Sequence, residues 1–396
     1  MNDPLLAYRP EFPILERSNY LVSNSLGAMP RTVPDRLAEY VDQWAELGVK
    51  AWAAGWWEMP LSAGNEIAPL IGAAHGEVAM LPNVTITQTA VLTALDYTAP
   101  RNRIVMTEMD FPSVRYVYEG LARRLGAEIV VVPTSDGVSV DLERLLAAID
   151  ERTRLVAVSH VLFKSAYILD VAAICRRAKE VGALVSLDGF HAVGIIPVDV
   201  KALGVDFYCG GVLKWLCGGP GGCFLYVAPA HSQQLEPAFT GWQAHEHPFA
   251  FETPMAYADG GWRWLNGTPS IPSLFAATEG PRIVRKAGIE RIRAKSLRQT
   301  QHVIELADVR GYKVMAPRDP DRRGGTVALD VPHAYAITQL LLSKGVIVDY
   351  RPGAGIRIAP HFYNSDSELD RAVQIIDDAL STGNWKPFEG PRGIVT

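Results

Sequence analysis

The stretch LVSLDGFHAVGIIPVDVKALGVDFYCGGVLKWLCGGPGGCFLY, residues 184–226, decides the fold of this chain. Its first apolar run ends in Asp188, and His191 follows three residues later. A second apolar run, 205–209, precedes Lys214, and a glycine-rich turn comes directly after the lysine. The pattern predicts a carboxylate at the end of one buried strand and a lysine shortly after the next.

This combination is what the chemistry of pyridoxal phosphate (PLP) requires. The lysine forms a Schiff base with the aldehyde, and the aspartate keeps the pyridine nitrogen protonated so that the ring accepts electrons. A buried aspartate loses hydration free energy, and pairing with a pyridinium cation gives Asp188 a reason to be there. The apolar neighbours of Lys214 favour a desolvated amine over an ordinary surface lysine. His191 is either a core histidine or a contact to the ring or its phenolic oxygen.

Length and composition narrow the class of protein. The chain has 396 residues, 48% of them hydrophobic, and a net charge of −5. It suits a two-domain or large single-domain α/β enzyme, and its charge gives no case for binding nucleic acid or an anionic membrane. No apolar run approaches the roughly 20 residues of a transmembrane helix, and the first residues lack signal-peptide features. We therefore expect a cytoplasmic protein.

The cysteines predict neither a metal site nor a disulfide. They form no CxxC pair, and no histidine cluster accompanies them at zinc-ligand spacing. Buried thiols are the expected state, because cysteine behaves as a small hydrophobe. The four cysteines are Cys175, Cys209, Cys217 and Cys223.

Apolar runs alternate with helical patterns through the first two thirds of the chain. This alternation predicts an α/β fold with a doubly wound, mostly parallel sheet. The expected strands are 104–106, 128–132, 155–159, 183–187, 205–209 and 223–227, and the expected helices are 33–50, 63–75, 113–125, 141–150 and 170–181.

The organisation predicted from these patterns has three parts. Residues 1–30 form an extended N-terminal arm that packs with the small domain, 31–270 form the large PLP-binding domain, and 271–396 form a smaller α+β C-terminal domain. In this last part the expected helices are 273–308, 334–343 and 366–381, and the expected strands are 326–331, 346–351 and 355–360.

Three further features are candidates for the site. The segment NVTITQT, 83–89, precedes a helical pattern, and a helix start can cradle a phosphate, although threonine-rich turns are common. Phe111 follows a predicted strand and either stacks on the pyridine or packs in the core. Arg357 ends an apolar run, where it either clamps a substrate carboxylate or forms a surface salt bridge.

Six segments, in this order, resemble the class V aminotransferase family of fold-type I PLP enzymes, and kynureninases most closely. The likeness covers about residues 20–380. The segments are NSLGAMPR (24–31), DFPSV (110–114), SHVLFKSAYILD (159–170), DGFHAVG (188–194), GWQAHE (241–246) and GIRIAPHFYNS (355–365).

The resemblance implies a role for each matching position, and a homodimer with shared active sites. Lys214 holds the cofactor, Asp188 pairs with the pyridine nitrogen and Phe111 stacks. His191 and Ser165 lie near the ring oxygen. The remaining roles are phosphate contacts by Thr85, Ile86 and Thr87, phosphate contacts from the neighbouring subunit by Trp242 and Thr268, and substrate contacts by Arg357, Asn24 and Ser25.

Three positions depart from the kynureninase pattern. Leu213 replaces a tyrosine before the lysine, Val114 replaces an aspartate, and Lys50 falls where a substrate-facing histidine is expected. The tryptophans of segment 51–60 belong either to the substrate mouth or to a dimer core.

The function that the resemblance implies is a kynureninase-like hydrolase or β-lyase. Such an enzyme cleaves the side chain of an α-amino acid after Schiff-base formation and removal of the α-proton. A class V aminotransferase or epimerase is the alternative, and a catalytically dead fold kept for ligand sensing is a third. A desulfurase is disfavoured because it needs a mobile nucleophilic cysteine, whereas the four cysteines of this chain are expected in or beside core elements.

Overall fold

The structure is a computed structural model that describes residues 3–391 and 393. Its strands are β1 (Asn19–Tyr20), β2 (Val78–Leu81), β3 (Arg103–Thr107), β4 (Glu128–Val132), β5 (Thr153–Ser159), β6 (Leu184–Asp188), β7 (Phe207–Gly211), β8 (Cys223–Val227), β9 (Lys313–Val314), β10 (Val327–Asp330), β11 (Val346–Ile347), β12 (Asp349–Arg351) and β13 (Gly355–Ile358).

The α-helices are α1 (Val33–Leu47), α2 (Met59–Ile67), α3 (Val84–Thr93), α4 (Pro112–Leu125), α5 (Leu142–Ala148), α6 (Val171–Val181), α7 (Val200–Leu203), α8 (Pro229–Ser232), α9 (Ile271–Ala277), α10 (Glu279–Ala287), α11 (Ile289–Val309), α12 (Ala334–Ser343) and α13 (Asp366–Thr382). Short 3₁₀ helices cover Pro4–Glu11, Pro13–Glu16, Gly48–Trp52, Ala68–Leu70, Trp242–Ala244, Gly260–Trp264, Pro320–Arg322 and Lys386–Phe388.

In the described part of the chain, a seven-stranded sheet has the order β2-β8-β7-β6-β5-β3-β4. β8 runs antiparallel to both neighbours, and the other adjacent pairs are parallel. Strands β3, β5, β6 and β7 therefore end at the same edge. In open α/β sheets, ligands bind outside this carboxyl edge.

Apolar side chains cover both faces of this sheet. On β5, Val156 and Val158 belong to the core on one face, and Leu155 and Ala157 belong to the core on the other. Helices α5 and α6 pack in the first core, whereas α3 and α4 pack in the second. This arrangement confirms the predicted doubly wound, mostly parallel sheet.

Local sequence signals set the helix ends. The Asp170 side chain accepts the backbone N–H of Ala173 and so caps the start of α6. Gly182 ends the same helix with φ +73°, a left-handed conformation that glycine adopts without strain. These caps bring α6 back to the sheet, so that β6 lies beside β5 and ends in Asp188.

The C-terminal part has its own sheet and core. An antiparallel sheet has the order β12-β13-β10-β9, and α11, α12 and α13 contribute to the core beside it. The N-terminal arm joins this part, because β1 pairs in parallel with β11 and Val22 bridges to Ala359. The division of the chain at residues 30 and 270 stays a prediction.

Several predicted elements were wrong in detail. The arm is not extended throughout, since its prolines fix φ near the helical value and its first part forms 3₁₀ helices. The single helix expected at 273–308 is three helices, α9 to α11, which break at Thr278 and Gly288. The run 346–351 is divided between β11 and β12, which belong to different sheets. Strand β2 was not predicted.

Three further properties concern all the residues that the structure describes. All four cysteines are buried and free, which confirms the expectation of buried thiols. Among the residues described, no helix has both the length and the apolar character needed to cross a membrane. Within the same residues, no group of three or more His, Cys, Asp or Glu side chains is placed to hold a metal ion.

Candidate active site

A cavity of about 230 Å³ lies at the carboxyl edge of the large sheet. Seven of the predicted site residues line it, from segments far apart in the sequence. The residues lining the cavity are Asn24, Ser25, Val84, Phe111, Ser159, Val161, Phe163, Asp188, Phe190, His191, Leu213, Lys214, Arg351 and Arg357.

Lys214, His191 and Asp188 form the polar floor of the cavity. Lys214 Nζ lies 2.6 Å from His191 Nε2. Asp188 ends β6 and accepts the backbone N–H of Phe190 at 2.9 Å, so its carboxylate has a fixed orientation. The structure thus brings together the three residues that the opening stretch singled out.

The surroundings of these groups move their protonation equilibria. Burial raises the pKa of the Asp188 carboxyl to about 6, against the opposing effects of the Phe190 N–H and the Lys214 charge. Burial lowers the pKa of Lys214 to about 7. Burial, and next the charge of Lys214, hold the pKa of His191 well below its ordinary range. The lysine is therefore available as a neutral amine near pH 7, beside a neutral imidazole.

Aromatic rings flank the lysine. Its Nζ lies 5.4 Å from the ring centroid of Phe111 and 5.4 Å from that of Phe190. Phe163 packs edge-on against Phe111, with the centroids 5.3 Å apart. Aromatic walls beside an amine suit an aromatic ligand ring.

The start of α3 lies at one end of the cavity, where Val84 belongs to the lining. Asn83 caps the helix: its side chain accepts the N–H of Ile86, and its carbonyl accepts the hydroxyl of Thr87. The first N–H groups of a helix lack intrahelical partners, so those of Val84 and Thr85 remain for an anion. The Thr87 hydroxyl is buried and already bonded, so backbone groups are the stronger phosphate candidates here.

Two arginines line the opposite part of the cavity. Arg357 ends up 2% exposed, with Nε and Nη2 donating to the two carboxylate oxygens of Asp349 at 2.7 and 2.5 Å. Its Nη1 donates to the carbonyl of Phe163 at 2.6 Å. The predicted alternative of a surface salt bridge is therefore wrong, because Arg357 is buried.

The N-terminal arm completes the wall. Asn24 is 0% exposed, and among the described residues neither polar atom of its side chain has a hydrogen-bond partner. Leaving a buried polar group unpaired costs about 1–3 kcal/mol, which a ligand offering partners offsets. Ser25 Oγ lies 3.4 Å from Nη2 of Arg351. Gly27 N–H donates to the carbonyl of Leu213 at 2.7 Å, which ties the arm to the lysine loop.

Several predicted residues do not line this cavity. The hydroxyl of Ser165 is buried and donates to the Val138 carbonyl at 2.6 Å. Trp242 packs against Trp57, with ring centroids 4.9 Å apart, and Thr268 is exposed. The latter two were expected to serve the neighbouring subunit, so their roles stay predictions.

The three departures from the kynureninase pattern have different positions. Leu213 lines the cavity, where a tyrosine would place a phenol. Val114 is buried in the core beneath α4. Lys50 is exposed in the 3₁₀ helix Gly48–Trp52, after the end of α1.

Arg351, Phe163 and Phe190 line the cavity but were not predicted from the sequence. A signal for Arg351 was present, because it ends an apolar run as Arg357 does. Phe190 lies between Asp188 and His191, within the stretch 184–226. Phe163 had no signal of its own.

The residues present fit PLP. They provide an amine of low pKa, a buried carboxylate in the same cavity, a helix start with free N–H groups and aromatic side chains around the amine. The unpartnered side chain of Asn24 indicates that the cavity is built for a polar ligand.

Known proteins resemble this chain over nearly its whole length. The aminotransferase class-V family model matches residues 19–362. A kynureninase of Burkholderia pseudomallei (strain 1106a) is 31% identical over 409 residues, covering 100% of this chain and 97% of the relative. A kynureninase of Pseudomonas fluorescens is 33% identical over 398 residues, covering 97% and 94%.

Solved structures share the fold. The apo structure of a cysteine desulfurase from Thermococcus onnurineus NA1 has a TM-score of 0.85 at 22% identity, covering 96% of this chain and 99% of its own. A C-DES mutant with glycine covalently linked to the PLP cofactor has a TM-score of 0.85 at 20% identity, covering 93% and 99%. These identities show the fold alone, which is that of fold-type I PLP enzymes. From the family match and the full-length relatives, this chain belongs to the aminotransferase class-V family of PLP-dependent enzymes, as a kynureninase-like member.

Proposed function

We propose that this protein cleaves the side chain of an α-amino acid, as a kynureninase-like hydrolase or β-lyase. One observation carries the proposal: Lys214, Asp188 and Arg357 converge on one cavity. The kynureninase relatives, which match the full chain, favour this reaction over others of the family.

Each residue has a task that follows from its position. When bound, PLP supplies a ring that withdraws electrons from the substrate α-carbon. Asp188 would face the cationic ring nitrogen, and the N–H groups at the start of α3 would face the phosphate. Lys214, with its low pKa, would anchor the cofactor as a nucleophile and, once released, accept the α-proton. Arg357 and Asn24 would hold the substrate carboxylate.

His191 is suited to orient rather than to take a charge. Its pKa is held low, so its Nε2 can accept a hydrogen bond from Lys214 across 2.6 Å. The contact holds the amine in the cavity, 5.4 Å from the ring centroids of Phe111 and of Phe190. This arrangement limits the directions from which the lysine can reach a substrate.

The test is the release of fluorescent anthranilate when the PLP-loaded protein is mixed with L-kynurenine. Rapid release, lost in Lys214→Ala together with the visible absorption of the bound cofactor, is the expected result. The same result would show that Leu213, Val114 and Lys50 are tolerated replacements. Absence of release from a protein that binds PLP through Lys214 would overturn the kynureninase assignment.

A class V aminotransferase is the second candidate, favoured by Leu213. The side chain there offers no phenol to relay protons, which kynureninase-type cleavage would use. This candidate predicts that amino donors alone convert the cofactor to a form absorbing at shorter wavelength. A spectrum unchanged by every donor would exclude it.

The proposal includes a homodimer with shared sites. Helix α1 exposes Leu37, Val41, Trp44 and Leu47 at helical spacing, and the Trp44 side chain is 61% exposed. An apolar face of this extent is a mark of a protein–protein interface. Trp242 and Thr268, which do not line the cavity of their own chain, would then reach the partner's phosphate site.

We also propose a cytoplasmic location. The four buried cysteines are unpaired, which is the usual state of thiols in a reducing compartment. Fractionation of cells that express the protein would test this location.

A further inference from the structure

An aspartate and two arginines form a charge cluster at one wall of the cavity. Asp349, 3% exposed, lies on β12 directly opposite Arg357 on β13. Its carboxylate binds Arg357 through two hydrogen bonds, and Arg351 Nη2 lies 3.1 Å from Oδ2. Both arginines line the cavity, whereas Asp349 does not.

The geometry leaves part of each arginine free to bind an anion. Asp349 takes one edge of the Arg357 guanidinium, the Nε and Nη2 side. A guanidinium has five N–H donors, of which Asp349 takes two and the Phe163 carbonyl takes one, so Arg357 keeps one N–H on each Nη atom for a second carboxylate. Arg351 is half-buried and forms an ion pair with Asp349, and its hydrogen bonds go to the carbonyl of Tyr350 and to Ser25 Oγ. The two cations are therefore oriented by one buried anion behind them.

The charge of this cluster matches a single carboxylate. Two guanidinium groups and one carboxylate carry one net positive charge. Of the other ionisable groups in the lining, Lys214 and Asp188 have opposite signs when charged, and the low pKa of His191 keeps it neutral. One α-carboxylate would neutralise the cluster, and a second acid on the substrate would be left unpaired.

We propose that Asp349 is a positioning residue that orients Arg351 and Arg357 and limits their combined charge to one, so that the site selects amino acids without a second acidic group. The inference rests on the proposed function, in which Arg357 receives the substrate carboxylate. It adds the substrate class: α-amino acids with an uncharged side chain.

The test compares L-glutamate with L-glutamine, which differ in charge but hardly in shape. Their Kd values for the PLP-loaded protein are measured from the change in cofactor absorption. In Asp349→Asn, glutamate binding should strengthen relative to glutamine binding, changing the ratio of the two Kd values on the order of tenfold, because one more positive charge faces the cavity. Asp330→Asn is the matched control: Asp330 is exposed on β10 of the same sheet and pairs with Lys313, and the ratio should not change.

A double variant separates charge from folding. Asp349→Asn combined with Arg351→Gln again has one net positive charge, so the ratio should return to that of the wild type. A purely structural role for Asp349 predicts no such recovery. If Asp349→Asn fails to fold, the single variant Arg351→Gln tests the inference instead, because Arg351 is only half-buried. Arg351→Gln should weaken glutamate binding relative to glutamine binding. An unchanged ratio of the two Kd values in this variant would overturn the inference.

The proposed function has a separate readout in the same samples. Cofactor absorption that requires Lys214 supports that function in every variant. If a variant keeps this absorption but prefers glutamate to the same extent with and without the Asp349 charge, only the proposed role of Asp349 is refuted. The proposed function still stands.

Discussion

At Lys214, burial and neighbouring charges act on one amine. Burial lowers its pKa from 10.5 to about 7, and Arg357 and Arg351 act in the same direction, whereas Asp188 and Asp349 oppose them. The folded protein therefore holds this proton less tightly than the unfolded chain does. Stability from the neutral amine is present above the unfolded pKa and is lost as the pH falls through about 7.

The lowered pKa of Lys214 leads to a prediction for the PLP-free protein. Its free energy of unfolding, relative to that of Lys214→Met, should rise as the pH increases from 7 to 10. Denaturant titrations at several pH values measure this difference, and the substitution cancels most contributions from other titrating groups. A difference that stays level over this range would contradict the lowered pKa.

The arm and the lysine loop pack backbone to backbone at Gly27. A Cβ built on Gly27 would lie 2.1 Å from the backbone oxygen of Lys214 and 2.9 Å from Cα of Cys217. The NSLG turn thus needs its glycine for close approach to the loop that carries Lys214. The predicted motif has a structural role besides presenting Asn24 and Ser25.

We predict that Gly27→Ala destabilises the protein by about 1–3 kcal/mol, the usual cost of overpacking. It should also weaken PLP binding, because the lysine loop must move. Chemical denaturation and cofactor titration measure the two effects. The control is Gly120→Ala on the exposed side of α4, where an added Cβ meets nothing within 4 Å. That change should be neutral or stabilising, by up to about 1 kcal/mol, and a Gly27→Ala protein as stable as the wild type would contradict the account.

The exposed apolar face of α1 bears on how whole molecules associate. Val49, which follows the helix, is 82% exposed, and Met29 and Leu26 of the arm are also exposed. In the proposed homodimer, a partner would cover this surface and bring Trp242 and Thr268 to the phosphate site of the other subunit. Dimerisation and the integrity of the site are therefore linked in the proposal.

If the proposed homodimer forms through this face, we predict that Val41→Lys makes the protein monomeric. A charge in an apolar interface loses its hydration without a partner. Light scattering coupled to size-exclusion chromatography should report the mass of one chain. Asp42→Asn makes the same change in charge on the opposite face of α1, and it should leave a dimer. A Val41→Lys protein that stays dimeric would place the interface elsewhere.

Prediction from sequence succeeded where the signal is local. Strands β4 and β8 and helix α12 have the bounds expected from their apolar patterns. It failed where neighbours in space decide, as in the run 346–351. There β11 pairs with the arm while β12 pairs with β13, and the pattern of apolar residues holds no information about these partners.

The sequence by itself determined the doubly wound sheet and the convergence of Asp188, His191 and Lys214, because strand ends in a parallel sheet meet at one edge. The family resemblance added Phe111, Arg357, Asn24 and Ser25, and only the tertiary structure added Arg351, Phe163 and Phe190 and the contacts that hold the arginines. Arg351 meets Ser25 across 326 residues, and the pairing of Asp349 with Arg357 depends on the register of two short strands. Contacts of this kind arise from packing between distant segments, so no local pattern of residues encodes them.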